Sequence, residues 1–487
     1  MSPARILVVN AGSSSLKLRL LDESDQVVGS ADLAAPGGTA DAGEVKSALS
    51  SFGQVQATGH RIVHGGTSYT TPAVIDPAVR QRLAALTDLA PLHQPKSLAA
   101  LDTVQAMLPG VPAVACFDTA FHATIPPAAA TYALPGQWRK RWELRRYGFH
   151  GLSHGYASRR AAGLLGRDIA GLRTVVCHLG AGASLAAVAG GRSVDTTMGF
   201  TPLEGLVMAT RSGTVDPGLV LWLEEHAGTP PAELAATLEH RSGLLGLAGT
   251  ADMREVLARA GAGDPQARLA LDVYTHRLRA GIAAMTAAMG GLDALVFTGG
   301  VGENAAGVRE LAAAGLGFLG IAIDPGRNAA VRGDTDITAD SARVRTLVIA
   351  AREDIEIARQ VRSVLSAGEP EQCRPPGKPT LRDLPVVNRT CPGHSMADGK
   401  IFLPAGTGSR MPQRSFRRPA PIAPGRYGSF WVRGAGRPAR DGAVRQWAAR
   451  RRGQALTGSA PTCRAQAAQQ KMRSPDSTPW PRTRQPQ

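Results

Sequence analysis

Four short stretches of this 487-residue chain carry charged side chains into apolar, glycine-rich surroundings. Arg61 stands in Gly59-His-Arg-Ile-Val-His-Gly-Gly66, and Asp118 closes the apolar run Val111–Phe117. His150 and His154 lie four apart in Tyr147-Gly-Phe-His-Gly-Leu-Ser-His154. Arg211 follows Met198-Gly-Phe-Thr-Pro-Leu-Glu-Gly205 in a Gly/Ser/Pro loop. Singly, such residues are ordinary, because loop arginines are usually solvated and carboxylates at strand ends commonly cap turns. Two arginines, a carboxylate and a histidine beside glycine-rich turns are, taken together, the ingredients of phosphoryl transfer. The arginines neutralise the oxygens of the moving group, and the carboxylate holds Mg²⁺ or orients the nucleophile. The histidine spacing also suits a metal pair on a helix, but no His-Glu-x-x-His pattern accompanies it and glycine flanks both. Neither a Walker A sequence nor a His-Arg-Asp catalytic loop occurs, which sets aside P-loop enzymes and protein kinases.

Nucleotide phosphates need backbone N–H donors, and three turns offer them. The first is Asn10-Ala-Gly-Ser-Ser-Ser-Leu-Lys17, between a buried strand and a second strand Leu16–Leu21, with Ser13, Ser15 and Lys17 as side-chain donors. Arg173–Val188 repeats that design around His178-Leu-Gly-Ala-Gly182. Two copies about 170 residues apart suggest two related domains, each offering a phosphate-facing hairpin to a shared cleft. The third turn, Thr298-Gly-Gly-Val-Gly-Glu-Asn-Ala305, follows a strand at Asp293–Phe297, and a helix is expected after it through Val308. Gly300, Gly302 and Ala305, with Asp324 further on, match a dinucleotide fingerprint. Two hairpins precede that match where a Rossmann domain would open with a βαβ unit. Alternating strand and helix signals through residues 1–366 make the body α/β.

The formal charge of +16 misleads, because residues 367–487 hold 22 basic and 6 acidic residues while the first 366 hold 33 of each. That extension also carries 17 of the 34 prolines and no periodic apolar pattern, so it reads as disordered and basic. Any nucleic-acid contact would belong to it alone. Cys116 and Cys177 sit in apolar strand-like runs, no Cys-x-x-Cys pair exists, and no disulfide framework is indicated. Neither a signal-peptide pattern nor an apolar run long enough for a membrane span is present, and a cytoplasmic setting fits.

These blocks, with Ala90-Pro-Leu-His-Gln-Pro95, Phe117-Asp-Thr-Ala-Phe-His122 and Thr210-Arg-Ser-Gly213, resemble in order the acetate kinase (acetokinase) family of carboxylate kinases. The resemblance covers residue 4 to about residue 365. It implies two actin-like (ribonuclease H-like) domains flanking a nucleotide cleft and assembled as a homodimer, with no membrane partner. Their expected bounds are 1–120, completed by a helix at about 353–366, and 121–352. It also implies reversible in-line transfer between ATP and acetate, giving ADP and acetyl phosphate, with Mg²⁺, or Mn²⁺ in its place. By position, Asn10 and Arg61 would meet the phosphoryl group or the carboxylate. His150 and Arg211 would stabilise transition-state charge, and Asp118 would orient substrate and metal. Glu353, with Asn10, would bind Mg²⁺. Ser13, Ser15, Lys17, His178, Gly180, Gly182, Asp252, Arg254, Gly300, Val301 and Asn304 would hold the nucleotide. Val63, Leu92, Phe149 and Pro202 would line the acyl pocket.

The chain departs from the family pattern in places. Ala181 and Ala183 stand where asparagine and serine are common, which removes two side-chain contacts to phosphate. The metal segment reads Ala351-Arg-Glu-Asp354. The region 25–55 is short, and Ala35–Gly43 reads as loop. Alternatives are a propionate or butyrate kinase, a pyrophosphate-using relative, and a non-catalytic actin-like nucleotide-binding protein.

Overall fold

The computed structural model describes residues 3–12, 15–36, 39–91 and 93–366. Ser13, Leu92 and the basic extension therefore lie outside the described residues. Strand β1 (Ile6–Ala11) is apolar on both faces, with Ile6 to Val9 at most 2% exposed, as a central strand requires. The Gly12 N–H donates to the Ser15 carbonyl at 2.8 Å, closing a tight turn into β2 (Ser15–Leu21). Strand β3 (Val27–Ala34) continues this antiparallel meander. On the other side of β1 come β4 (Ala57–Ile62), the short antiparallel edge β5 (Ala73–Val74), and β6 (Ala113–Phe117). Strands β1, β4 and β6 are parallel neighbours, in a sheet ordered β3-β2-β1-β4-β6-β5.

From residue 173 the same design recurs. Strands β7 (Arg173–Leu179), β8 (Ala183–Ala189) and β9 (Arg192–Thr196) form a meander. Next come β10 (Ala294–Thr298), the edge β11 (Thr335–Asp336) and β12 (Arg345–Val348). Read from the meander edge, the order is β9-β8-β7-β10-β12-β11, so the repeat seen in two turns is a repeat of an entire sheet.

Two helices tie the halves together. The helix Gly151–Leu165 gives Leu152 to the core of the first sheet, with Ile6, Val8 and Cys116. It gives Ala157 and Ala161 to the second, with Val176, Val296 and Leu347. The last helix, Glu353–Ser366, returns to the first sheet and buries Ile357, Ala358 and Val361 there. Cys116 and Cys177 are free thiols in the two cores.

Two local expectations are corrected. The helix expected after Ala305 is there as Ala306–Ala314, but the glycine turn before it is itself helical over Gly299–Asn304. Gly299 at φ +79° lets the chain turn off β10 directly into helix, where a Cβ would strike the Leu179 carbonyl oxygen at 2.8 Å. The loop expected over Ala35–Gly43 is cut short by a helix, Ala42–Phe52. Asp41 caps it by accepting from the Glu44 N–H at 3.0 Å, in the Asp-x-x-Glu spacing of a capping box.

Candidate active site

The carboxyl ends of three adjacent parallel strands supply the first group of side chains. Asn10 lies near the end of β1, Arg61 near the end of β4, and Asp118 directly after β6. Parallel pairing in the order β1-β4-β6 makes these ends neighbours, which is where open α/β sheets place ligands. Arg61 donates to Asp118 from Nε at 3.1 Å and from Nη2 at 2.6 Å, and to Asn10 Oδ1 from Nη1 at 3.1 Å. Asn10 Nδ2 in turn donates to Glu353 Oε2 at 3.3 Å, and the same oxygen lies 3.9 Å from Arg61 Nε. Burial opposes the Arg61 charge, but the Asp118 and Glu353 carboxylates outweigh it and hold the guanidinium protonated. Burial pushes the Asp118 carboxyl up while Arg61 draws it down.

The second group forms where helix Gly151–Leu165 meets β7 and β8. His150, at φ +57°, is the N-cap residue of that helix rather than part of it, so only His154 is helical. His150 Nδ1 and His154 Nε2 both reach Ser184 Oγ, at 2.9 and 2.8 Å. The His178 ring stacks on His150 with centroids 4.4 Å apart, and its Nδ1 meets Ser153 Oγ at 2.8 Å. Burial holds His178 down to about 4 and His150 well below its ordinary value, with nearby arginines adding to the effect, so both rings are neutral near pH 7. A Cβ placed on Gly182 would sit 3.4 Å from both Arg211 Nη1 and His150 Nε2, which puts those two nitrogens at one spot beside the second turn. Arg211 Nη1 also donates to the Pro202 carbonyl at 3.3 Å, and its nearest carboxylate, Glu239, lies 3.9 Å from Nε.

Beyond the second turn opens a cavity of about 490 Å³. Gly180, Asp252, Arg254, Gly300, Val301 and Asn304 line it, so six of the expected nucleotide residues meet there. Arg254, 90% exposed, pairs with Asp252 at 2.6 Å. Ala181 also faces this cavity, whereas Ala183 is buried in β8, so only the first of the two family departures touches it. His178 and Gly182 lie with the histidine group, not in the cavity wall. Ser15 lines a small separate void behind β2. Lys17 is registered opposite Asn10. Val63 and Phe149 share the large core of the second sheet. Asp324, the acidic residue of the fingerprint match, is instead the N-cap of a short helix, accepting from the Arg327 N–H.

Several contributors were not anticipated. Tyr274 and Met253 line the cavity, and both sit in helices whose apolar spacing marks them as core. Ser153 and Ser184 hold the histidines, yet a serine in a strand or helix carries no sequence signal. Glu303 Oε1 accepts from the N–H groups of Gly299 and Ala351, both at 3.0 Å, joining the glycine turn to the segment that precedes Glu353.

A family model described as the acetokinase family matches residues 39–359, two thirds of the chain. The chain belongs to the acetokinase family. An acetate kinase from Leifsonia xyli is 46% identical over 394 residues, covering 74% of this chain and 99% of the relative. One from Gloeobacter violaceus is 51% identical, covering 63% of this chain and 76% of the relative. Among solved acetokinases, acetate kinase from Porphyromonas gingivalis has a TM-score of 0.69 at 36% identity, covering 74% of this chain and all of that one. A propionate kinase from Francisella tularensis gives 0.68, also at 36%, covering 73% and 98%. The acetokinase fold of two actin-like α/β sheets with flanking helices is therefore the fold of this chain.

Proposed function

We infer that this protein is a carboxylate kinase that transfers the γ-phosphoryl group of ATP to acetate and reverses the reaction. What supports the reading most is the convergence of Asn10, Arg61, Asp118 and Glu353 at the strand ends, with His150 and Arg211 on the facing turn. An acetate oxygen is already ionised near pH 7 and needs no strong base. It attacks the γ-phosphorus in line, forming the new O–P bond as the β,γ-bridging O–P bond breaks and ADP leaves. Arg61 and Arg211 neutralise charge on the phosphoryl oxygens, His150 adds a hydrogen bond, and Asp118 holds Arg61 in place. Gly180, Asp252, Arg254, Gly300, Val301 and Asn304 take the nucleoside, and Val63, Phe149 and Pro202 face the acetate methyl group.

Glu353 fits a hard divalent cation, because its carboxylate accepts one hydrogen bond, from Asn10, and no direct cation contact closer than 3.9 Å satisfies it. Glu353 and Asn10 would hold Mg²⁺, or Mn²⁺ in its place, which would screen the phosphate charge. Residues 1–120 with 353–366 would be one domain and 121–352 the other. A homodimer is supported by the helix Pro217–Ala227, which buries no side chain and exposes Leu219, Leu221 and Trp222. No helix among the described residues is long and apolar enough to cross a membrane, and a cytoplasmic enzyme fits.

The test is acyl phosphate formation with Mg²⁺-ATP and acetate, propionate or butyrate, compared by kcat/KM. Each methylene in an apolar pocket changes affinity by about 1–3 kcal/mol, so acetate should lead by 10-fold or more. No acyl phosphate from any acid would overturn the reading.

A further inference from the structure

We propose that Ser184 sets the tautomer of His150, so that the ring presents an N–H at Nε2, and not a lone pair, to the phosphoryl group. The proposal deepens the phosphoryl-transfer reading above. Ser184 is fully buried in β8, and its hydroxyl is shared between His150 Nδ1 at 2.9 Å and His154 Nε2 at 2.8 Å. A hydroxyl has one proton, so it can donate to only one of these nitrogens and must accept from the other. The deciding atom is His154 Nδ1, which is buried with no hydrogen-bond partner. A bare lone pair is better tolerated there than an orphaned N–H. The His154 proton therefore sits on Nε2 and is donated to Ser184 Oγ. The Ser184 hydroxyl then donates to His150 Nδ1, and neutral His150 carries its own proton on Nε2.

That nitrogen is the one beside Gly182 and Arg211. In the opposite tautomer His150 would aim a lone pair at anionic oxygens, replacing attraction with repulsion. The neighbouring histidine steadies the arrangement. His122 donates from Nε2 to the carbonyl of Phe149, the residue before His150, at 2.9 Å, and its Nδ1 accepts from Ser193 at 2.8 Å. Ser184 and His154 are thus positioning residues, acting on the reaction through His150.

The experiment is a long-range ¹H–¹⁵N correlation spectrum of the full-length protein labelled with ¹⁵N-histidine at neutral pH, with His150→Gln identifying the His150 signals. His150 should appear as the Nε2–H tautomer, and should become Nδ1–H or a mixture in Ser184→Ala. Ser184→Thr, which keeps the hydroxyl, should keep the tautomer. In kinetics, Ser184→Ala should lose about 10- to 100-fold in kcat with KM for ATP and acetate within about threefold, and Ser184→Thr should recover most of it. Finding His150 as Nδ1–H in the wild type would overturn the proposal, and so would Ser184→Ala with unchanged tautomer and kcat. Where Ser184→Ala does not fold, the wild-type spectrum decides. That spectrum needs no substrate, so absence of activity with every acid would refute the functional reading and leave the tautomer result standing.

Discussion

Replacing Gly59 with alanine should loosen the helix that carries Glu353. Gly59 lies in β4, paired with Val8, and faces the last helix. A Cβ there would stand 2.4 Å from Ile357 Cγ2 and 2.7 Å from Val361 Cγ2. Carbon atoms in contact need about 3.5–4.0 Å, so the separation must grow by about 1 Å. Neither side chain can rotate away, because both are β-branched, fully buried and packed among Ile6, Val8, Cys116 and Leu152. The helix itself must shift. Overpacking of this kind costs about 1–3 kcal/mol, which at about 2 °C per kcal/mol lowers Tm by about 2–6 °C. Glu353 opens the same helix, and its 3.3 Å contact with Asn10 would open with it. Displacements near 1 Å at a site can cost up to about 10²-fold, so the Mg²⁺ concentration for half-maximal rate should rise about 10-fold or more. Calorimetry and a Mg²⁺ titration of the rate read both effects. Gly163→Ala, exposed on helix Gly151–Leu165 with nothing within 4 Å of the new Cβ, is the control and should stabilise by about 0.5–1 kcal/mol. Wild-type Tm and Mg²⁺ dependence in Gly59→Ala would refute the reasoning.

The two arginines should separate activity from stability. Arg211→Ala should lose at least about 10²-fold in kcat and keep its Tm, because its nearest carboxylate is 3.9 Å away. Arg61→Ala should lose at least as much activity and also about 3–5 kcal/mol of stability, since Asp118 would be left buried and unpaired; equal melting curves for the two variants would contradict this. Burial holds His60 down to about 3 and His122 down to about 4, against about 6.5 when unfolded. The unfolded chain therefore binds more protons below pH 6.5, and stability is complete above that pH and falls as pH drops toward 4. At pH 6.5 the unfolded histidine is half protonated, so each loses about 1 kcal/mol over the first unit and approaches about 1.4 kcal/mol per unit only below it. Unfolding free energy from urea melts should therefore fall by about 2 kcal/mol for these two between pH 6.5 and 5.5, and a flat profile would count against it. Removing the acceptor that joins the glycine turn to the Glu353 segment, in Glu303→Ala, should raise KM for ATP and the Mg²⁺ requirement together, whereas Glu303→Gln, which keeps an acceptor oxygen, should be milder. A change in only one would show that the two segments are not coupled through Glu303.

How much of this could be read from the chain depends on where each residue sits. Asn10, Arg61 and Asp118 follow apolar strand runs, and parallel pairing of consecutive strands brings such ends together almost by rule. The glycines of three turns announce phosphate-sized openings. Glu353 was reached only through the family motif, since its placement depends on a helix returning from the far end of the body to the first sheet. Tyr274 carries no signal beyond that of a core residue, and it is core: the same helix face that packs on β7 and β8 forms the cavity wall. Ser184 and Glu303 act through partners that the sequence does not place beside them, and a lone serine or glutamate carries no spacing to betray that. The start of the helix at Gly299 was missed because a run of glycine is a poor helix former, and strand β10 feeding straight into it overrode that propensity.

The helix Gly151–Leu165 has a consequence for how this body could be cut or recombined. It seals one sheet with Leu152 and the other with Ala157 and Ala161, so neither half closes its own core without it. A fragment ending before residue 151 would expose the pocket for Leu152, and one beginning after residue 165 would bare β7 and β10 where those alanines had lain. Exchanging halves between relatives therefore requires two junctions, one beside this helix, whose two faces must match both cores, and one before residue 353, so that the returning segment 353–366 comes from the same parent as residues 3–118.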